Sequence, residues 1–197
     1  MALNGKIAYI DLSIGEVEIA PIPIEMRKLY LGGRGLDMYL LYNHLEPGVD
    51  PLGPDNVLTV SAGILVGTLA SASARTHIGA KSPLTDFLGS SNIGGFFGPE
   101  LRFAGFDNLV IKGKAEKPVY LWIHDGEIEI RDASDLWGED VFDTQELIQE
   151  ELGDPEIKSL TIGLAGENLV RFANVMTGRK NAAGRTGMGA VMGSKNL

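Results

Sequence analysis

Glycine gathers in three stretches of this chain, and that clustering limits the fold more than any other feature. The stretches are Gly32-Gly33-Arg34-Gly35, Asn92-Ile93-Gly94-Gly95-Phe96-Phe97-Gly98 and Ala183-Gly184-Arg185-Thr186-Gly187-Met188-Gly189. In all, 26 of the 197 residues are glycine, well above the ~7% of ordinary usage. A residue without a side chain cannot fill a core, but it permits positive φ and close approach of main chain. From Gly63 to Gly98, where glycine, serine, alanine and threonine dominate, the expectation is mostly loop with short strands such as His77 to Lys81. The tail from Gly178 to Leu197 returns to the same composition.

Elsewhere the pattern is clearer. Alternation from Ile7 to Leu12, a Ser13-Ile14-Gly15 turn and alternation from Glu16 to Ile19 predict a hairpin. A helix is predicted from Ile24-Glu25. It pauses at the first glycine cluster and resumes from Leu36 to His44, with Leu36, Tyr39, Leu40 and Asn43 on one face. Strands are predicted at Val57–Val60, Leu109–Ile111, Leu160–Ile162 and Leu169–Val175, and a brief helix at Pro99–Phe103. Val119–His124, Asp125-Gly126 and Glu127–Ile130 read as a second hairpin, since Asp-Gly suits its turn. Asp143–Leu152 reads as an amphipathic helix stopped by Gly153. Strands outnumber helices and come as hairpins, which predicts a strand-rich α+β fold with mixed or antiparallel sheets and a few short helices. No linker divides the chain, so residues 1–197 are read as one domain.

Composition removes several functions. With no cysteine, the chain itself offers no disulfide, thiolate metal site, iron–sulfur ligand or cysteine nucleophile. The histidines His44, His77 and His124 lie far apart and match no metal spacing. A net charge of −9 argues against general nucleic-acid binding. No apolar run reaches the ~20 residues of a spanning helix, and Met1 to Lys6 lacks the basic-then-apolar pattern of a signal peptide. A cytoplasmic protein without a membrane partner is the expectation.

Successive glycine amides can face one anion, and arginines near the clusters (Arg34, Arg75, Arg185) supply planar forks suited to phosphate. The first cluster interrupts a helical pattern and reads as a kink. The second and third read as anion cradles. Two nucleotide motifs fail. Gly33-Arg34-Gly35 is followed by Met38 where a dinucleotide fingerprint needs glycine. Gly193-Ser194-Lys195 is preceded, five positions back, by Met188 rather than a P-loop glycine. Glu167-Asn168 is a weak acid–base candidate, and no serine–histidine or paired-carboxylate arrangement is legible. No catalytic residue is assigned.

Taken together, eight blocks of this chain resemble the N-terminal domain of the tungsten-containing aldehyde ferredoxin oxidoreductase family. They run from Leu31-Gly32-Gly33-Arg34-Gly35-Leu36 and Gly63–Thr68 through Arg75 with Lys81–Thr85, Asn92–Leu101 and Ala104–Asp107. They continue with Gly113-Lys114-Ala115 and Pro118-Val119-Tyr120, then Gly163–Asn168, and end at Ala182–Leu197. The resemblance implies two sheets forming a base for a tungsten, sometimes molybdenum, ion held by two pterin-dithiolenes, with a bridging Mg2+. Carried over by position, Arg75, Asn92 and Gly94 would contact pterin and phosphate from one side. Asn181, Ala182, Gly184 and Arg185 would do so from the other, and Asn92 and Ala182 would offer carbonyls to the magnesium. Asn181 stands where family members carry arginine, which Arg179 or Lys180 would replace; Thr186 and Asp86 stand for glycines and Leu164 for a proline. The family's reaction is oxidation of an aldehyde to a carboxylic acid, with electrons passing through a [4Fe–4S] cluster to ferredoxin. The cluster's cysteines belong to C-terminal domains absent from this chain, so the isolated domain is expected to be inactive. Oligomeric state is open, a homodimer included. The competing reading is a stand-alone, non-catalytic module for pterin or phosphate binding or for assembly.

Overall fold

The computed structural model describes residues 5–197; Met1–Asn4, on which the signal-peptide reading partly rests, lie outside them. In chain order the elements begin with β1 (Lys6–Asp11), β2 (Glu16–Pro21), α1 (Ile24–Tyr30), α2 (Arg34–His44), β3 (Leu58–Ala62), β4 (Thr76–Lys81) and β5 (Leu88–Ile93). They continue with α3 (Phe97–Phe103), β6 (Asn108–Lys112), β7 (Val119–His124), β8 (Glu127–Asp132) and α4 (Val141–Leu152). The last are α5 (Leu164–Glu167), β9 (Val175–Thr177), β10 (Asn181–Ala183) and α6 (Met188–Ser194). No helix among the described residues is long and apolar enough to cross a membrane.

The strand-rich α+β reading holds. A six-stranded mixed sheet runs β2-β1-β6-β3-β4-β5, and β7-β8 and β9-β10 form two smaller antiparallel pairs. Within the large sheet only β1 and β6 are parallel; every other pair is antiparallel. Alternation sends Ile10, Val60, Ile78, Ile93 and Leu109 to one face, where they meet Phe106, Leu101, Met188 and Val191. The opposite face sends Ile7 and Val110 against Leu36, Leu40 and Leu41 of α2. Each such side chain, 3% exposed or less, contributes roughly 2 kcal/mol by burial.

Local signals account for the β7–β8 hairpin and for α4. Asp125 and Gly126 both take positive φ, 43° and 85°, as a two-residue hairpin turn with the strands' twist requires. α4 starts two residues before its periodicity because the Asp140 side chain accepts hydrogen bonds from Phe142 N–H and Asp143 N–H, at 2.7 and 3.0 Å. Those two amides hold the Asp140 carboxyl below its ordinary pKa. Gly153, left-handed at φ 69°, ends the helix.

Four segments differ from expectation. The buried stripe of α2 is Leu36, Asp37, Leu40 and Leu41, whereas Asn43 is exposed and its side chain donates to Tyr39 O. The helix is rotated because Asp37 has polar partners below it. The predicted strand at Leu169–Val175 is mostly turn following α5, and only Val175–Thr177 pairs. In the Leu160–Ile162 stretch only Thr161 bridges, to Met176. The glycine-rich tail forms α6, buried throughout.

Two buried polar groups fasten the loops. Asp107 takes Arg27 Nη2 at 2.5 Å and Gly5 N–H at 2.7 Å, with Arg102 Nε at 3.4 Å. Arg102 Nη1 also donates to Gly63 O and Ile64 O, at 3.2 and 3.0 Å, and so holds the turn after β3. Lys195 is fully buried and donates to Gly113 O and Pro54 O, at 3.0 and 3.2 Å. Its burial pushes the ammonium pKa down to about 8.

Candidate functional site

The second and third glycine clusters meet. β10 packs beside β5, and Arg185 N–H donates to Ser91 Oγ at 3.4 Å. A Cβ on Gly94 would stand 3.2 Å from Asn181 Oδ1, and one on Gly95 would stand 3.0 Å from Asn181 Nδ2 and 3.1 Å from Thr177 Cγ2. Gly95 also has φ 95°, so glycine there is required for both shape and contact. The two clusters are remote in sequence but form one surface at the edge of the large sheet, where β5 is the terminal strand.

The residues singled out from sequence distribute along that edge. Thr76 pairs with Ile93, which sets Arg75, just before β4, opposite Gly94 in the antiparallel register. Arg75, Asn92, Ala182, Gly184 and Arg185 are exposed, and Gly94 and Asn181 are half-buried. At Gly184 no atom lies within 4 Å of where a Cβ would stand; space remains above the main chain. The Asn181 side chain occupies the space beside Gly94 and Gly95. Arg179, one of the two residues read as a substitute for an arginine at that position, is engaged elsewhere in this structure. Its guanidinium pairs with Glu146 at 2.7 Å and sits 5.6 Å above the Phe142 ring.

Two departures from the family pattern acquire a physical meaning. Asp86 and Thr186, read from the resemblance as replacing glycines, are both left-handed, at φ 62° and 65°. The loops therefore keep the shape glycine would give, at roughly 1–2 kcal/mol for each non-glycine residue. Asp86 recovers part of this through Lys81 Nζ at 3.0 Å. Thr186 is tied to the β4–β5 turn, because Ser82 Oγ donates to Thr186 O at 2.8 Å.

The first glycine cluster is a packing device, as its kink-like position suggests. A Cβ on Gly35 would run into the Tyr30 carbonyl oxygen, and one on Gly33 would stand 3.2 Å from Gly63 Cα. Glu167 ties a turn, since its Oε1 accepts Gly138 N–H at 3.0 Å. Among the described residues no three His, Cys, Asp or Glu side chains converge as a metal site. A groove of about 570 Å³ lies beneath β7, bordered by Phe97, Ile157, Leu160 and Met192, and none of the seven residues named from the resemblance lines it.

A polar network escaped the sequence reading. Asp37, fully buried in the first turn of α2, accepts Ser61 Oγ–H at 2.8 Å and Asn108 Nδ2–H at 3.1 Å, and lies 2.6 Å from His77 Nδ1. On the other side of the ring, His77 Nε2 lies 2.8 Å from Ser90 Oγ. Burial pushes the Asp37 carboxyl pKa up, while the donors from His77 and its neighbours draw it back. Strand register and the packing of α2 on β3 and β4 bring these residues together. Asn108, Ser61, His77 and Asn92 form one row across β6, β3, β4 and β5.

The profile of the family described as "Aldehyde ferredoxin oxidoreductase, N-terminal domain" matches residues 7–197. A tungsten-containing aldehyde ferredoxin oxidoreductase of Pyrococcus furiosus is 50% identical over 98% of this chain and 32% of its own length. The WOR-like subunit of an aliphatic sulfonate oxidoreductase from the same organism is 39% identical over the whole chain and 34% of its own length. Among solved structures, a chain of the active-site complex BamBC of benzoyl coenzyme A reductase superposes with a TM-score of 0.97 at 41% identity. That match covers 100% of this chain and 30% of the other. The class is therefore that of an oxidoreductase N-terminal domain. The chain belongs to the aldehyde ferredoxin oxidoreductase family and spans about a third of the length of these relatives.

Proposed function

We propose that this domain seats a tungsten bis-pterin cofactor in an oxidoreductase that converts aldehydes to carboxylic acids, with a [4Fe–4S] cluster elsewhere in the protein and ferredoxin as acceptor. The observation that carries the reading is the shared edge. Two glycine stretches about ninety residues apart lie side by side, with open space at Gly184 and two exposed arginines at the rim. We read this edge as half of an enclosure, whose other half the further domains of a full-length protein would supply.

The residues present fit the group. Arg75 and Arg185 offer planar donor forks to phosphate oxygens. The bare main chain at Gly94 and Gly184 admits close approach by the ligand, and the carbonyls of Asn92 and Ala182 are the oxygens assigned to a bridging Mg2+, which favours oxygen ligands. Asn181 shapes the floor beside Gly94 rather than reaching out as an arginine would. When bound, the metal centre supplies the two-electron redox chemistry; this domain holds and orients it and contributes no acid or base. Relatives sharing the domain are named for an aldehyde, an aliphatic sulfonate and benzoyl-CoA. That spread fits a domain that carries the common cofactor while substrate choice rests elsewhere.

Arg185→Ala in the full-length protein tests the assignment. Tungsten and pterin content per polypeptide should fall about tenfold, the scale of one charge-assisted contact. Compared free of cofactor, the two proteins should have thermal midpoints within about 2 °C, because the side chain is exposed. Wild-type cofactor content in the variant would remove Arg185 from the site.

A further inference from the structure

The buried Asp37–His77 pair ends on Ser90, a hydroxyl that the proposed function does not use. Burying an ionisable pair costs several kcal/mol in desolvation, and an apolar pair of similar volume does as well or better for stability. The sheet is nevertheless adapted to it. A Cβ on Gly79 would stand 3.2 Å from His77 Cε1 and 3.0 Å from Leu41 and Thr59, so glycine there keeps room for the imidazole ring. Asp37 already accepts Ser61 and Asn108, which makes its carboxyl the acceptor toward His77 as well and assigns the ring proton to Nδ1. In the neutral ring Nε2 then accepts the Ser90 proton, and the hydroxyl is held in one orientation with lone pairs to spare.

Where that hydroxyl lies is the second observation. Ser90 is two residues before Asn92 on the terminal strand of the sheet, so both side chains share a face, about 7 Å apart along the strand. α2 packs over β3 and β4, while Leu88 and Asn92, the same-face neighbours of Ser90, are both exposed. The hydrogen-bond chain thus starts in the core and stops at the edge assigned to the ligand.

We infer that Ser90 is a further ligand contact, accepting an N–H of the pterin ring system, and that His77, oriented by Asp37, is the positioning residue that fixes its hydroxyl. The inference rests on the cofactor reading above and deepens it. Arginine forks hold the phosphate ends, and a hydroxyl keyed by an imidazole meets a ring donor.

The rate of tungsten release on heating below the unfolding midpoint tests it in the full-length protein purified with its metal. Ser90→Ala should release tungsten about tenfold faster, the equivalent of one hydrogen bond of about 1.4 kcal/mol, with the thermal midpoint within about 2 °C of wild type. Ser90→Thr keeps the hydroxyl and should restore slow release. His77→Gln should also speed release, and the double variant with Ser90→Ala should be no faster than either alone, because both act through one contact. Equal release from wild type and Ser90→Ala, or additive effects in the double variant, would overturn the inference while leaving the cofactor seat intact. Stoichiometric labelling of Ser90 by a fluorophosphonate would overturn it differently, by showing a nucleophile in place of a positioned acceptor. Wild-type protein without pterin-bound tungsten would instead remove the cofactor reading itself.

Discussion

Gly193→Ala is expected to lower the thermal midpoint by about 10 °C. The added methyl would sit on the Gly166 carbonyl oxygen, 2.6 Å from its carbon and 3.1 Å from Glu167 N. Both sides of this contact are main chain, so no side chain can swing away. α5 and α6 would have to part, and α6 carries Met188 and Val191 into the larger core. Overpacking of this kind costs about 3 kcal/mol, a large share of the 5–15 kcal/mol available to a domain. For a chain of this length, that lowers the midpoint by roughly 6–12 °C. Gly138→Ala would be a poor control, since Gly138 has φ 102°. Gly184→Ala is the better one, because its site is open. Calorimetry or thermal circular dichroism on the two variants decides the matter; equal midpoints would mean that α5 and α6 are not in main-chain contact.

Gly184→Val should do the reverse, sparing the fold and abolishing the cofactor. Gly184 is exposed, outside the left-handed region, and free of neighbours within 4 Å of a Cβ. Substitutions at such positions usually stay within about 0.5 kcal/mol. Yet a branched side chain would fill the space through which the proposed pterin phosphate approaches main chain. Tungsten per polypeptide in the purified full-length variant should drop below about a tenth of wild type, a penalty above 1.4 kcal/mol, while the midpoint matches that of cofactor-free wild type. Full tungsten loading would show that the space above Gly184 is not ligand space.

Much of the scaffold could be read from the sequence because its signals are local. The β1–β2 and β7–β8 hairpins follow from alternation and turn residues, and α4 from its apolar face and its left-handed glycine. β5 and α6 could not be read so. Leu88-Gly89-Ser90-Ser91-Asn92-Ile93 lacks the bulky alternation of a strand, and Met188-Gly189-Ala190-Val191-Met192-Gly193-Ser194 has two glycines that weaken helix propensity. Both form because the missing side chains permit contacts: Gly89 against Met188, Gly189 against the Asn174 carbonyl, Gly193 against Gly166. Tertiary packing overrides propensity there. Arg75, Arg185 and the second and third glycine clusters were legible as an anion cradle from residue type; the individual roles came only through the resemblance, and the juxtaposition only through the packing of β10 on β5. The Asp37 network left no signal, since its five members span seventy residues and each alone is an ordinary polar side chain.

The most direct measurement is the position of the metal ligand in a crystal structure of the full-length protein purified with tungsten. One ligand assembly should lie along the edge of β5, with phosphate oxygens about 3 Å from main chain or arginine at both stretches, Asn92–Gly94 and Ala182–Arg185. A ligand that touches one stretch alone, or that occupies the groove beneath β7, would contradict the central claim.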